Sequence, residues 1–353
     1  MKKKLSEFRK DIVSGDWILV ASKRGRRPVF FNHDKKADWR KLPHRDCPFD
    51  DPQKSGNGKP IFWLPAPTKS VSGKSAKPSV KDWFVQVIRN KFPAVSPGKI
   101  CPIPGSFGWH SIMAGVGFHE VVITRPHNRS ISEMTKEEAA LVLRAYVERM
   151  LALRAEKCVE YTSIFHNHGR SAGASVVHPH SQIIALPIIP PDVARSFDGS
   201  RRYFTEHGHC VHCTMLEWEL AEKDRVIFQN EHFIALAPYA SRVAYEVRVY
   251  PKWHAPHFEE MDEEKLCYLA EALTESLRRL RIVLGDPDFN FFLHTAPTKE
   301  KYMEHYHWHF EILPKTGIWA GLELGTGIDI ISTAPEEAAK ELRKVNNGVV
   351  KSK

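Results

Sequence analysis

Four marks recur in the same order in the two halves of this chain. That duplication limits the fold more than any other feature of its 353 residues. The first mark is a short cysteine motif, Cys47-Pro48-Phe49-Asp50, answered by Cys210-Val211-His212-Cys213. The second is a β-rich run ending in histidine, Glu120 to His127, answered by Glu246 to His254. Its β-branched residues and late proline read as a strand entering a loop. The third is a helix. Thr135 and Glu138 form a capping box ahead of the apolar positions Leu141, Val142, Ala145, Tyr146 and Leu153. Asp262 opens the counterpart, a leucine stripe from Leu266 to Leu284 closed by Gly285. The fourth mark is a strand leading to paired histidines: Tyr161–Phe165 precedes His178-Pro179-His180, and Phe289–Leu293 precedes His307-Trp308-His309. Each helix cap follows its histidine by eight residues (127 to 135, 254 to 262). The paired histidines follow by 51 residues (127 to 178) and 53 residues (254 to 307).

The expected fold is therefore α+β: two pseudo-repeated units, each an antiparallel sheet with a long helix, joined into one body. The halves divide as 1–192 and 193–353, with the segment from Pro187 to Gly199 as the joint. Pro65 to Lys81, rich in Lys, Ser and Pro, reads as a loop.

Composition narrows the class. A hydrophobic content of 42% supports a full core, and no run approaches the ~18 apolar residues of a membrane span. Met1 to Glu7 is basic without an apolar stretch behind it, so a secretory leader is not expected and the cytoplasm is the expected compartment. Six cysteines in such a chain are not expected to form disulfides. The net charge of +9 suits an anionic partner, although five lysines crowd the two termini. No basic stripe interleaved with aromatics marks a nucleic-acid groove.

Zinc takes four soft or borderline donors in a tetrahedron. The second half offers Cys210, Cys213, His254 and His307, a CxxC with two later histidines. The first half offers Cys47, Asp50, His127 and His178, with aspartate where a second cysteine is expected. A carboxylate is harder than a thiolate, which weakens that site. Either metal closes strands far apart in sequence and has a structural role.

The richest stretch runs from Phe165 to Gln182. Small residues from Gly169 to Ser175 let backbone N–H groups approach a phosphate. They lead into His178-Pro179-His180-x-Gln182 and a strand at Ile183–Leu186. On a strand, His178, His180 and Gln182 share a face. His178 binds metal. His180 attacks the α-phosphorus of a nucleoside diphosphate, since a neutral imidazole is nucleophilic near pH 7 and leaves readily again. Gln182 donates a hydrogen bond without adding negative charge, and the His178 carbonyl is a candidate to hold the other ring proton. In the second half Glu311 stands where Gln182 does, and no glycine-rich loop precedes His309. The first half therefore carries the chemistry.

The pattern Asn167-x-Gly169-x-x-Ala172-Gly173-x-Ser175-x-x-His178-Pro179-His180-x-Gln182 resembles the active-site signature of the galactose-1-phosphate uridylyltransferases, a branch of the histidine-triad superfamily, and the resemblance runs over nearly the whole chain. It implies two histidine-triad-like units and a double displacement: UDP-glucose uridylylates His180, and galactose 1-phosphate takes the uridylyl group. It implies that Asn167, Ser175 and Gln182 hold the phosphoryl group, that Gly173 is among the substrate-binding residues, and that Arg24 and Arg27 contact phosphates. Asn90 to Val95 is similar to the family's nucleoside-pocket segment, and Ala320 to Gly327, with Gly321 and Glu323, to one that reaches the sugar. A homodimer with a site shared between subunits is also implied. Lys91, where some members carry an acidic residue, leaves the base open. The complete second donor set resembles a branch that includes ADP-glucose phosphorylases, so adenylyl transfer is the alternative. A zinc-stabilised module that binds nucleotide or RNA without turnover is the remaining reading.

Overall fold

The computed structural model describes residues 5–22, 43–67, 79–300, 303–346 and 349–350. Arg24 and Arg27, and most of the expected loop at 65–81, lie outside them. The chain opens with β1 (Glu7–Lys10), β2 (Trp17–Val20), β3 (Phe62–Pro65), β4 (Trp83–Arg89), the short hairpin β5 (Gly105–Phe107) and β6 (His110–Ile112), and β7 (Phe118–Thr124). Helix α1 (Lys136–Arg154), β8 (Tyr161–His168) and β9 (His180–Leu186) complete the first unit. Helices α2 (Pro191–His207) and α3 (Val211–Glu222) lead into β10 (Val226–Gln229), β11 (Phe233–Leu236), β12 (Val247–Pro251), α4 (Glu263–Leu284), β13 (Phe289–His294) and β14 (His309–Pro314). The chain continues through α5 (Gly321–Thr326), β15 (Asp329–Ile331) and α6 (Pro335–Arg343).

Both long helices start where the capping residues placed them. Thr135 Oγ1 accepts from the Glu138 N–H, and the Glu138 carboxylate returns the bond to Thr135. Asp262 caps α4, and Gly285 ends it with φ +68°, a left-handed conformation glycine adopts without strain. The segment 187–199 that joins the halves contains the start of a helix, because α2 begins at Pro191. Proline suits a first helical turn, whose N–H groups have no partner in any case.

The expected α+β duplication is present, fused into one antiparallel sheet of ten strands in the order β10-β11-β12-β14-β13-β8-β9-β7-β4-β3. The second unit's strand order is that of the first in reverse. The units meet edge to edge at β13 and β8, where Phe165 pairs with Phe292. These two are also repeat-mates, since Phe165 lies opposite Gln182 and Phe292 opposite Glu311. A pseudo-two-fold axis thus passes between them, and neither unit exposes its inner edge.

Alternation along the strands divides the sheet's two faces. Val122, Ile164, Ile183, Val249, Phe291 and Phe310 turn toward α1 and α4 and form the main core. The alternate residues, including His180, Gln182, His309 and Glu311, turn the other way. One disulfide, Cys101–Cys158, contradicts the expectation of free thiols. The end of α1 and the segment ahead of β5 come together only in the folded chain, so spacing carried no sign of the pair. Among the described residues no helix is long and apolar enough to cross a membrane.

His166 sits on the helix face near the seam, fully buried, stacked on Phe291 with ring centroids 5.0 Å apart and 3.0 Å from Ser181 Oγ. Burial, and secondarily the nearby His168 and His180, push its pKa well below the ordinary value. The unfolded chain takes up a proton here near about pH 6.5 while the folded chain does not, so stability is full above that pH and falls below it. Thermal midpoints should drop between about pH 8 and about pH 5, and His166→Phe should make that slope shallower. An unchanged slope in the variant rejects the assignment.

Candidate active site

His180 opens β9, with Ile123 of β7 on one side. Its Nδ1 lies 2.9 Å from the His178 carbonyl oxygen. A carbonyl only accepts, so Nδ1 carries the proton and Nε2 keeps its lone pair. Burial lowers the His180 pKa, with the His178 carbonyl pulling in the opposite direction, and the ring is therefore neutral near pH 7. The Phe49 ring packs on it at 5.1 Å. Gln182, two residues on, shares the face.

Residues 169–175 are held by the second unit. The Asp288 carboxylate accepts from the Ser171 N–H at 2.8 Å and from its hydroxyl at 2.6 Å. Asn290 on β13 donates to Asn167 Oδ1 and to the Ala172 carbonyl, both at 2.8 Å. With its Oδ1 engaged, Asn167 turns its NH2 group elsewhere. Gly169 has φ +90°, and a Cβ there would stand 2.1 Å from Asp288 Cγ. Gly173 takes the left-handed conformation at φ +86°, and Ser175 is exposed. Sequence reasoning missed Asp288 and Asn290, which come from the opposite unit and carry no motif. It also missed His119, whose Nε2 is 2.7 Å from Gln182 Oε1.

Both expected donor sets converge. The ligand atoms of Cys47, Asp50, His127 and His178 lie within 4.8 Å of one another, as do those of Cys210, Cys213, His254 and His307. In the first set Asp50 Oδ1 is 2.9 Å from His127 Nδ1, and Cys47 Sγ is 3.4 Å from His178 Nδ1. His178 Nε2 donates to the Thr124 carbonyl at 2.6 Å. In the second set Cys213 Sγ is 3.5 Å from His254 Nδ1, and His307 Nε2 donates to the Pro251 carbonyl at 3.1 Å. Thr124 and Pro251 each lie three residues before the donor set's other histidine. In each unit, then, a backbone carbonyl fixes the tautomer and aims Nδ1 at the cluster, as metal sites require. Cys213, His254 and His307 favour the thiolate of Cys210, the form that binds metal.

The second unit's counterpart of the His180 site carries different side chains around the same backbone contact. Nδ1 of His309 meets the His307 carbonyl at 3.2 Å, repeating the first unit's contact. Glu311, however, lies 3.2 Å from His294 and 3.7 Å from Arg248, which also pairs with Glu246 at 2.8 Å. Burial would raise the Glu311 carboxyl, but Arg248 and His294 outweigh it and hold it low. A buried carboxylate at this position repels a phosphate. Gly321 and Glu323 lie on α5, which packs on β15. That strand pairs with β2 in a three-stranded sheet separate from the one that holds β9. Asn90 follows β4, and its amide reaches His119 at 3.0 Å.

Gly169→Ala forces both a clash and a backbone conformation that alanine resists, a cost of about 1–3 kcal/mol. Its thermal midpoint should fall by several degrees, and nucleotide affinity should fall with it. A variant as stable as the parent would show that Asp288 does not clamp the loop.

Residues 1–190 match the family model for the galactose-1-phosphate uridyl transferase N-terminal domain, and 196–347 match that for its C-terminal domain. The chain is 32% identical to the ADP-glucose phosphorylase of Arabidopsis thaliana, over 96% of this chain and 93% of that protein. It is 33% identical to the galactose-1-phosphate uridylyltransferase of Thermotoga maritima, over 64% of this chain and 72% of that one. The crystal structure of an Arabidopsis thaliana ADP-glucose phosphorylase with bound ADP-glucose superposes with a TM-score of 0.79 at 30% identity, covering 97% and 99% of the two chains. The duplicated sheet, the neutral histidine and these matches agree: the chain is a nucleotidyltransferase and belongs to the galactose-1-phosphate uridyl transferase family.

Proposed function

We propose that this enzyme transfers a uridylyl group from UDP-glucose to galactose 1-phosphate through a covalent uridylyl-His180. The observation that carries the reading is the His180 ring, neutral, with Nδ1–H tied to the His178 carbonyl and its Nε2 lone pair free for attack. Nε2 attacks the α-phosphorus. The P–N bond forms as the bond from that phosphorus to the bridging oxygen breaks, and the electron pair leaves with glucose 1-phosphate. A phosphate oxygen of galactose 1-phosphate then attacks the same phosphorus, forms UDP-galactose and returns the pair to Nε2. Throughout, Nδ1–H stays on the His178 carbonyl, which stabilises the positive charge that develops on the ring. The NH2 groups of Gln182 and Asn167, with Ser175 and Gly173, face the phosphoryl oxygens in this reading, and Arg24 and Arg27 take the outer phosphates.

The division at 192 and 193 then separates a catalytic half from a scaffold half. Two zinc ions suit the donor sets, one held by Cys210, Cys213, His254 and His307 and a weaker one by Cys47, Asp50, His127 and His178. Zinc at these sites supplies a structural cross-link between distant strand ends. Gly321 and Glu323 would serve a site on a second copy, consistent with a homodimer. The apolar hairpin of Phe107, Trp109 and Ile112, all well exposed, suits a subunit contact. The compartment in this reading is the cytoplasm.

A second reading, adenylyl transfer from ADP-glucose to phosphate, is favoured by the near full-length match to the Arabidopsis thaliana protein. One experiment separates the two. The protein is incubated with UDP-glucose or ADP-glucose labelled in the α-phosphate, and acid-labile, base-stable protein label is measured. Uridylyl label that galactose 1-phosphate discharges is expected, and His180→Ala should lose at least about a thousandfold in rate. Label from ADP-glucose alone selects the second reading, and label retained in His180→Ala removes both. Metal content is the other check. Cys213→Ser should lose one zinc per chain and several kcal/mol of stability, on the order seen when a structural site opens. Unchanged metal in that variant refutes the assignment of the second set.

A further inference from the structure

We propose that His119 is the positioning residue that sets which way the Gln182 carboxamide faces, so that its NH2 group, and not its oxygen, meets the phosphoryl group. The role in catalysis rests on the reading of His180 given above, whereas the orientation rests on geometry alone. His119 lies on β7 opposite Ile184, one step along the shared face from the Val121–Gln182 pair, and is 9% exposed. Its Nδ1 is 3.0 Å from the backbone N–H of Ala94. A backbone N–H only donates, so Nδ1 accepts and the ring proton sits on Nε2. That Nε2 is 2.7 Å from Gln182 Oε1 and donates to it. The two ends of a carboxamide have nearly the same shape, and only hydrogen bonding decides which end points where. Here the Ala94 N–H determines the tautomer, the tautomer takes the Gln182 oxygen, and the NH2 group is left to point at the space before His180. A single donor aimed at a developing phosphoryl charge is worth roughly a hundredfold in rate. The reversed amide would present an oxygen to an anion.

The same contacts tie a second element to the site. The Asn90 N–H donates to the His119 carbonyl at 2.8 Å, and Asn90 Oδ1 accepts from the Phe92 N–H at 2.8 Å. The Asn90 NH2 stands 3.0 Å from His119 Nε2, and with the ring proton on that nitrogen the two donors do not bond one another. His119 therefore joins the Asn90–Ala94 segment to the reacting end of the site. The scaffold unit supplies an internal control. By the β12 and β14 register, the repeat-mate of His119 is Glu246 and that of Gln182 is Glu311, and Arg248 bridges the two. Both members of the pair change together where the phosphate-facing loop is absent.

Two substitutions separate the two ring nitrogens. Gln in place of His119 keeps an NH2 donor near the Nε2 position, and Asn keeps an acceptor near Nδ1 but removes the donor. His119→Gln should hold the kcat of nucleotidyl transfer within about threefold. His119→Asn should lower kcat at least about tenfold with little change in KM. In a Gln182→Ala background His119→Asn should cost nothing further, because it acts through that amide. Nitrogen-15 NMR of labelled protein should show His119 protonated at Nε2 and not at Nδ1. A protonated Nδ1, an undiminished kcat in His119→Asn, or an equal loss in the Gln182→Ala background overturns the proposal. A parent enzyme that takes no label from either sugar nucleotide would count against the function reading alone, and the NMR tautomer would still decide the orientation of Gln182.

Discussion

The pairing of β8 with β13 is the contact on which the rest of the molecule depends. Each unit alone would expose a long inner strand edge with unpaired N–H and C=O groups. Joined antiparallel about the Phe165–Phe292 pair, the two edges satisfy each other and continue one hydrophobic surface beneath α1 and α4. The seam also orders the loop before His180. Asp288 and Asn290 reach from β13 and its approach to hold residues 167–172 of the other unit. The loop before His180 is therefore shaped by residues of the other unit.

Duplication placed the same backbone geometry twice and allowed side chains to divide the labour. Both units tie the Nδ1 of the second paired histidine to the carbonyl of the first, and both aim the first histidine's Nδ1 at a metal-ready cluster. The difference lies in what faces the second histidine. In the first unit it is an amide and a loop of small residues; in the other it is Glu311, held 3.2 Å from His294 and 3.7 Å from Arg248. A buried arginine between two carboxylates contributes little net stability, because desolvation offsets most of the attraction, but breaking it is costly.

Much of this was legible beforehand. The helix caps at Thr135 and Asp262 and the convergence of the two donor sets followed from local chemistry and spacing. The contact between His180 and the His178 carbonyl was legible because both belong to one short segment. The start of α2 at Pro191, inside the segment that joins the halves, was not anticipated, because a proline there fits a loop and a first helical turn equally well. The Cys101–Cys158 bond was missed because compartment arguments say nothing about which thiols the fold brings together.

Sequence by itself determined the period of the repeat, the elements within it and the residue types able to carry metal or a nucleotidyl group, because these depend on neighbours a few positions apart. Only the tertiary structure decided how the two units share an edge. It also decided that Asp288 and Asn290 hold a loop more than a hundred residues away, and that Ala94 dictates the proton on His119 and thereby the face of Gln182. Hydrogen bonds of that kind act over about 3 Å in space and have no preferred separation along a chain, so no pattern in the sequence marks them.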